Sequence, residues 1–137
     1  MRRRAFLSVA VLAALVAAFV AASSSSAAPA GAFVVELYAG QSTDVGEVYV
    51  WNDATNLYVE LDLDGGWCMT ESHVAAASSL DGIPHTSKGN PIPGQFAQGD
   101  TYAPCEPDGD TFVFPLAGLG TDPVIAVHAK EMLKGLE

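Results

Sequence analysis

The sequence predicts an all-β protein, an antiparallel β-sandwich with one long disulfide-bracketed loop behind a cleaved signal peptide. Three observations carry that reading. Past residue 30 the chain offers six short segments rich in β-branched and aromatic residues, separated by turn-forming clusters, and it has no long helical period and no internal repeat. Only two cysteines occur, Cys68 and Cys105, in a chain whose N-terminus is built for export. Between them, residues 80–103 hold seven glycines and prolines, a density that implies a long irregular excursion.

The N-terminus comes first. Met1-Arg2-Arg3-Arg4 is a basic head, and 5–22 is apolar except for Ser8. A run of that length is near the lower limit for spanning a bilayer, and Ala28-Pro29-Ala30 supplies the small-residue pattern of a cleavage site. Residues 1–30 therefore read as a signal peptide, 31–129 as the β-sandwich domain and 130–137 as a C-terminal tail. Removing the first 30 of 137 residues leaves 107, one domain with a modest core. All three arginines leave with the leader, so three lysines face sixteen acidic residues, a formal charge of −13. That acidity argues against nucleic acid and anionic membrane surfaces as partners. A secreted or cell-surface location, an unknown extracellular ligand such as a glycan or a protein, and no membrane span after signal cleavage are the corresponding expectations.

Phe33 to Tyr38 reads as the first strand, ended by Ala39-Gly40-Gln41. Val45 to Trp51 and Leu57 to Leu63 form a hairpin across Asn52-Asp53-Ala54-Thr55. Setting Val50 against Leu57 gathers Val48, Val50, Leu57, Val59 and Leu61 on one face, and Glu47, Tyr49, Trp51, Tyr58 and Glu60 on the other. This register places Glu47 opposite Glu60, an unfavourable pair of like charges. Tyr49, Trp51 and Tyr58 are a candidate ligand-binding platform, since aromatic faces pack against the apolar side of a sugar ring; a cross-strand aromatic cluster covered by a loop or second sheet is the commoner explanation of such a set.

Asp62 to Gly66 makes a turn, and Glu71 to Ser78 is a strand of small side chains suited to close approach of a neighbouring segment. Thr111 to Leu116 is the next strand, with Pro115 marking its end or an edge. Val124 to Ala129 is the last, and 130–137 is a short amphipathic tail, helical or frayed. A Cys68–Cys105 disulfide follows from export, and neither cysteine sits in a metal-binding CxxC or CxxH spacing.

Chemistry has few footholds. There is no GxSxG or SxxK motif, and carboxylates are so plentiful that no particular pair is informative. Asp62-Leu63-Asp64-Gly65 opens like a calcium loop, but Gly66 and Trp67 break the pattern. His73 follows Glu71 by two on one strand, and His128 lies on the last. If those strands are neighbours, Glu71, His73 and His128 offer a carboxylate and two imidazoles to a divalent metal, the ligand set of some hydrolytic zinc sites. No cofactor is otherwise expected, and no catalytic residue is named.

Five stretches together, Tyr38-Ala39-Gly40-Gln41, 48–59, Gly66-Trp67-Cys68-Met69-Thr70-Glu71-Ser72-His73, Gly89-Asn90-Pro91-Ile92-Pro93-Gly94-Gln95-Phe96 and Ala126-Val127-His128-Ala129, resemble a family of uncharacterised secreted and cell-surface bacterial β-domains. The resemblance runs from Val35 to Ala129 and implies fold and location without a reaction. It implies that Cys68 and Cys105 pair, that His73 and His128 rank above His85 as site candidates, and that 90–96 forms an ordered, non-repetitive loop. Such domains tend to continue with strand-like sequence after the final His-Ala, so the tail reads as shortened. The resulting function is an exported non-catalytic module with a binding or cell-surface structural role; the alternatives are a carbohydrate-binding module and a metal-dependent hydrolase.

Overall fold

The computed structural model describes residues 27–134. Residues 1–26 of the leader and 135–137 of the tail lie outside the described residues. Seven strands run in chain order: β1 (Phe33–Ala39), β2 (Thr43–Asn52), β3 (Asn56–Leu63), β4 (Trp67–Ala77), β5 (Gln98–Glu106), β6 (Asp110–Pro115) and β7 (Val124–Leu133). They form two antiparallel sheets, β1-β2-β3-β6 and β5-β4-β7. Among the described residues no helix is long and apolar enough to cross a membrane.

Period-two patterning explains the four-stranded sheet. Leu37, Val48, Leu57, Val59, Leu61, Phe112 and Phe114 turn inward and pack with Met69 and Val74 of β4. The β2–β3 hairpin keeps the expected faces but not the expected partners. Trp51 stands opposite Tyr58, Tyr49 opposite Glu60 and Glu47 opposite Asp62, two residues away from the Val50–Leu57 register. A two-residue shift preserves both faces, so burial does not oppose it. Asp53 fixes it instead: its Oδ1 accepts the amides of Thr55 at 2.8 Å and Asn56 at 2.7 Å, and its own amide donates to the Asn56 carbonyl. The Glu47–Glu60 clash is thereby replaced by a row of carboxylates, Glu36, Glu47 and Asp62, across β1, β2 and β3.

The second sheet departs further from expectation. The sequence predicts six strands; the seventh is β5, which begins inside the region expected to be irregular. It carries Gly99 and Pro104, poor strand formers, yet Gly99 is required where it stands. A Cβ there would lie 2.5 Å from the Ser72 carbonyl oxygen and 3.1 Å from His73 Nδ1. β4 starts at Trp67, earlier than Glu71, and β7 runs past Ala129 to Leu133, so four of the five described residues of the expected tail are strand. The Lys134 amide donates to the Gly66 carbonyl and holds that end down. Pro115 does end β6, which is an edge of its sheet.

Cys68 and Cys105 are bonded, with Cα atoms 5.6 Å apart, and the bridge joins β4 to β5 within one sheet. The loop between them is ordered. Ile83 and Phe96 are buried against Ala75, with Ala77, Val124 and Ala126 beside them. The small side chains of β4 and β7 are what let the loop lie flat on the sheet's outer surface. Inside the sandwich, Ser72 Oγ meets the Tyr102 hydroxyl at 2.9 Å, and that hydroxyl donates to Asp110 Oδ2 at 2.5 Å. This chain links β4 and β5 to β6 and satisfies the fully buried Ser72.

Candidate functional site

Two surfaces hold the candidate ligand-binding and metal-binding residues. The first is the outer face of the four-stranded sheet. Trp51 and Tyr58, directly opposite in the ladder, stack with ring centroids 5.3 Å apart and planes 11° from parallel. Both are half-buried, as is Tyr49 next along β2. The hairpin loop fixes the Tyr58 ring, because its hydroxyl donates to Asp53 Oδ2 at 2.6 Å. That bond, with the Thr55 and Asn56 amides, lowers the Asp53 carboxyl to about 2 and raises the Tyr58 hydroxyl. Val113 of β6, opposite Tyr58, extends the apolar surface. Around the rings stand Glu47, Glu60 and Asp62, and none of the three lysines lies in this sheet. Three further groups here are raised: Glu47 by partial burial and then by Asp64, Asp44, Asp62 and Glu36, Tyr49 by partial burial and then by Glu47 and Asp62, and Asp62 by partial burial and then by Glu60 and Asp64. A depression beside Trp51 is lined by Pro29 to Phe33, Val50 and Asn52.

The second surface is the outer face of the three-stranded sheet, past the edge of the covering loop. β4 and β7 are neighbours, and His73 stands directly opposite His128, ring centroids 6.0 Å apart. The condition set by the sequence is therefore met for the two imidazoles. Glu71 joins them differently from a ligand set. Its Oε1 accepts from His73 Nε2 at 2.5 Å and its Oε2 from Lys130 Nζ at 2.6 Å, which lowers its carboxyl to about 2. His128 is pushed below the usual imidazole value by burial, then by His73 and Lys130. Among the described residues no group of three His, Cys, Asp or Glu side chains is placed to hold a metal ion.

No known protein family, curated protein or solved structure matches the chain.

His85 lies apart from both surfaces. Its Nδ1–H donates to the Ile83 carbonyl at 2.6 Å, and the Ile92 amide returns to the Pro84 carbonyl, so this histidine knits the loop to itself. Two residues that the sequence did not single out belong to the sites. Lys130, taken for tail, is the cation on Glu71. Glu60, read only as one carboxylate of the outer face, is 6% exposed and accepts the Ala27 amide with both oxygens, at 3.3 and 3.2 Å. The alternation of β7 would have reached Lys130 had it been carried past Ala129. The Glu60 contact spans 33 residues and has no local signal.

Proposed function

We propose that the protein is an exported, non-catalytic β-sandwich module that binds a neutral saccharide on the outer face of its four-stranded sheet. The stacked Trp51–Tyr58 pair carries this reading. Two half-exposed rings, held parallel by the strand register and by the Asp53 bond, present a preorganised apolar ledge to the C–H face of a sugar. The carboxylates beside it are acceptors for hydroxyl groups, and their charge repels anionic glycans, nucleic acid and acidic lipid. The disulfide and the acidic composition both favour a place outside the cell. The hydrolase reading gains no comparable support, because both oxygens of Glu71 are already engaged by Lys130 and His73.

A glycan array probed with the mature protein tests the proposal. Binding to neutral oligosaccharides, reduced at least about tenfold by Trp51→Ala through loss of stacking area, is expected. Binding that survives Trp51→Ala and Tyr58→Ala undiminished would place the ligand elsewhere.

A further inference from the structure

Glu60 points outward from β3, yet it is as buried as the core. Its ladder neighbours are Tyr49 on β2 and Thr111 on β6. The backbone of the segment before β1 also reaches it. From Phe33, opposite Val50 at the sheet's edge strand, the chain doubles back through Ala32, Gly31, Ala30, Pro29 and Ala28 until the Ala27 amide meets the Glu60 carboxylate on β3. It therefore crosses β2 at the level of Tyr49 and Trp51, and Pro29 to Phe33 form one wall of the depression beside Trp51. Only small residues and a proline make the crossing. An amide donor on a carboxylate beside stacked aromatics is the geometry a sugar hydroxyl would adopt there.

We propose that residues 27–30 are a removable strap occupying the binding face in place of its ligand, and that cleavage of the Ala30–Gly31 bond opens the face and takes the Ala27 amide away from Glu60, whose carboxylate then accepts a saccharide hydroxyl. The bond marked by the Ala28-Pro29-Ala30 pattern lies in an exposed turn, closed by the Ala32 amide on the Pro29 carbonyl at 3.2 Å, with Gly31 at φ +88°. Hydrolysis by a signal peptidase adds one water across the C–N bond, leaving a carboxylate on Ala30 and an ammonium on Gly31. The strap then has no tether. The inference rests on the saccharide reading for the ligand's identity alone.

Two forms of the protein differing only at the start, Ser23 and Gly31, both ending at Glu137, test this by hydroxyl-radical footprinting read by peptide mass spectrometry. Trp51 and Tyr49 are expected to oxidise faster in the Gly31 form, with Trp67, packed against the core, as the unchanged internal reference. In the Ser23 form, Glu60→Gln is expected to raise Trp51 oxidation towards the Gly31 level. Affinity for the saccharide that scores highest on the array should be about tenfold higher in the Gly31 form, the worth of one charge-assisted hydrogen bond no longer competing. Equal oxidation of Trp51 in the two forms would overturn the strap whatever the binding result. A footprint difference with no saccharide binding to either form would uphold the strap and overturn the saccharide reading.

Discussion

Reducing the Cys68–Cys105 bridge gives a prediction whose size follows from the chain itself. The two cysteines are 37 residues apart in sequence. Restoring the freedom of that loop to the unfolded ensemble costs, by the loop-closure relation, about 4 kcal/mol of stability. For a domain of this size each kcal/mol corresponds to roughly 4–8 °C, so reduction should lower the melting temperature by about 15–30 °C. The assay is a thermal melt followed by near-ultraviolet circular dichroism, with and without a phosphine reductant that leaves the thiols in place. Cys68→Ala/Cys105→Ala should fall by at least as much, since Cys68 is fully buried and its loss adds a cavity. A drop below about 5 °C in the reduced protein would refute the reasoning. The β4–β5 ladder would then have to hold the loop ends together without the bridge.

Further predictions concern packing and charge. Ala75→Leu should destabilise the domain by about 1–3 kcal/mol in urea unfolding, because Ile83 and Phe96 leave no room above that position. Gly109→Ala should cost at least as much, since its φ of +81° disfavours a side chain and the new Cβ would fall 1.8 Å from the Leu61 carbonyl oxygen. Glu71, lowered to about 2 by Lys130 and His73, contributes stability that is complete above the ordinary glutamate value and lost as the pH falls towards 2. A carbon-detected NMR titration should place its midpoint near 2, and Lys130→Ala should raise it. His128 is lowered in the folded state, so its contribution is present above the ordinary imidazole value and fades as the pH falls through its own; His73→Ala should raise its titration midpoint.

Periodicity made much of this fold legible. Alternation assigns Val48, Val50, Leu57, Val59 and Leu61 to one face and Glu47, Tyr49, Trp51, Tyr58 and Glu60 to the other, and the structure keeps those ten assignments, whereas Val45, on the outer side by alternation, is buried in the core. It is blind to shifts of two, which is why the Val50–Leu57 register failed where the Asp53 turn decided the matter. β5 is illegible because Gly99 reads as one of the breakers of residues 80–103, whereas it is there to pass over the Ser72 carbonyl and the His73 ring. The meeting of His73 and His128 depends on which strands are neighbours, a property of topology that side-chain patterns do not encode. The strap was hidden for a related reason: residues 27–30 look like leader by composition, and only a contact with Glu60 gives them a place on the domain.

The central claim is that ligand meets the ledge of Tyr49, Trp51 and Tyr58. Its most direct test is a nitrogen–proton correlation NMR titration of the Gly31-start protein with a neutral oligosaccharide. The account predicts shifts concentrated at the Trp51 indole and the amides of 49–51 and 58–60, with His73, His128 and Lys130 unmoved. Shifts centred on the histidine pair, or none on the aromatic ledge at saturating saccharide, would contradict it.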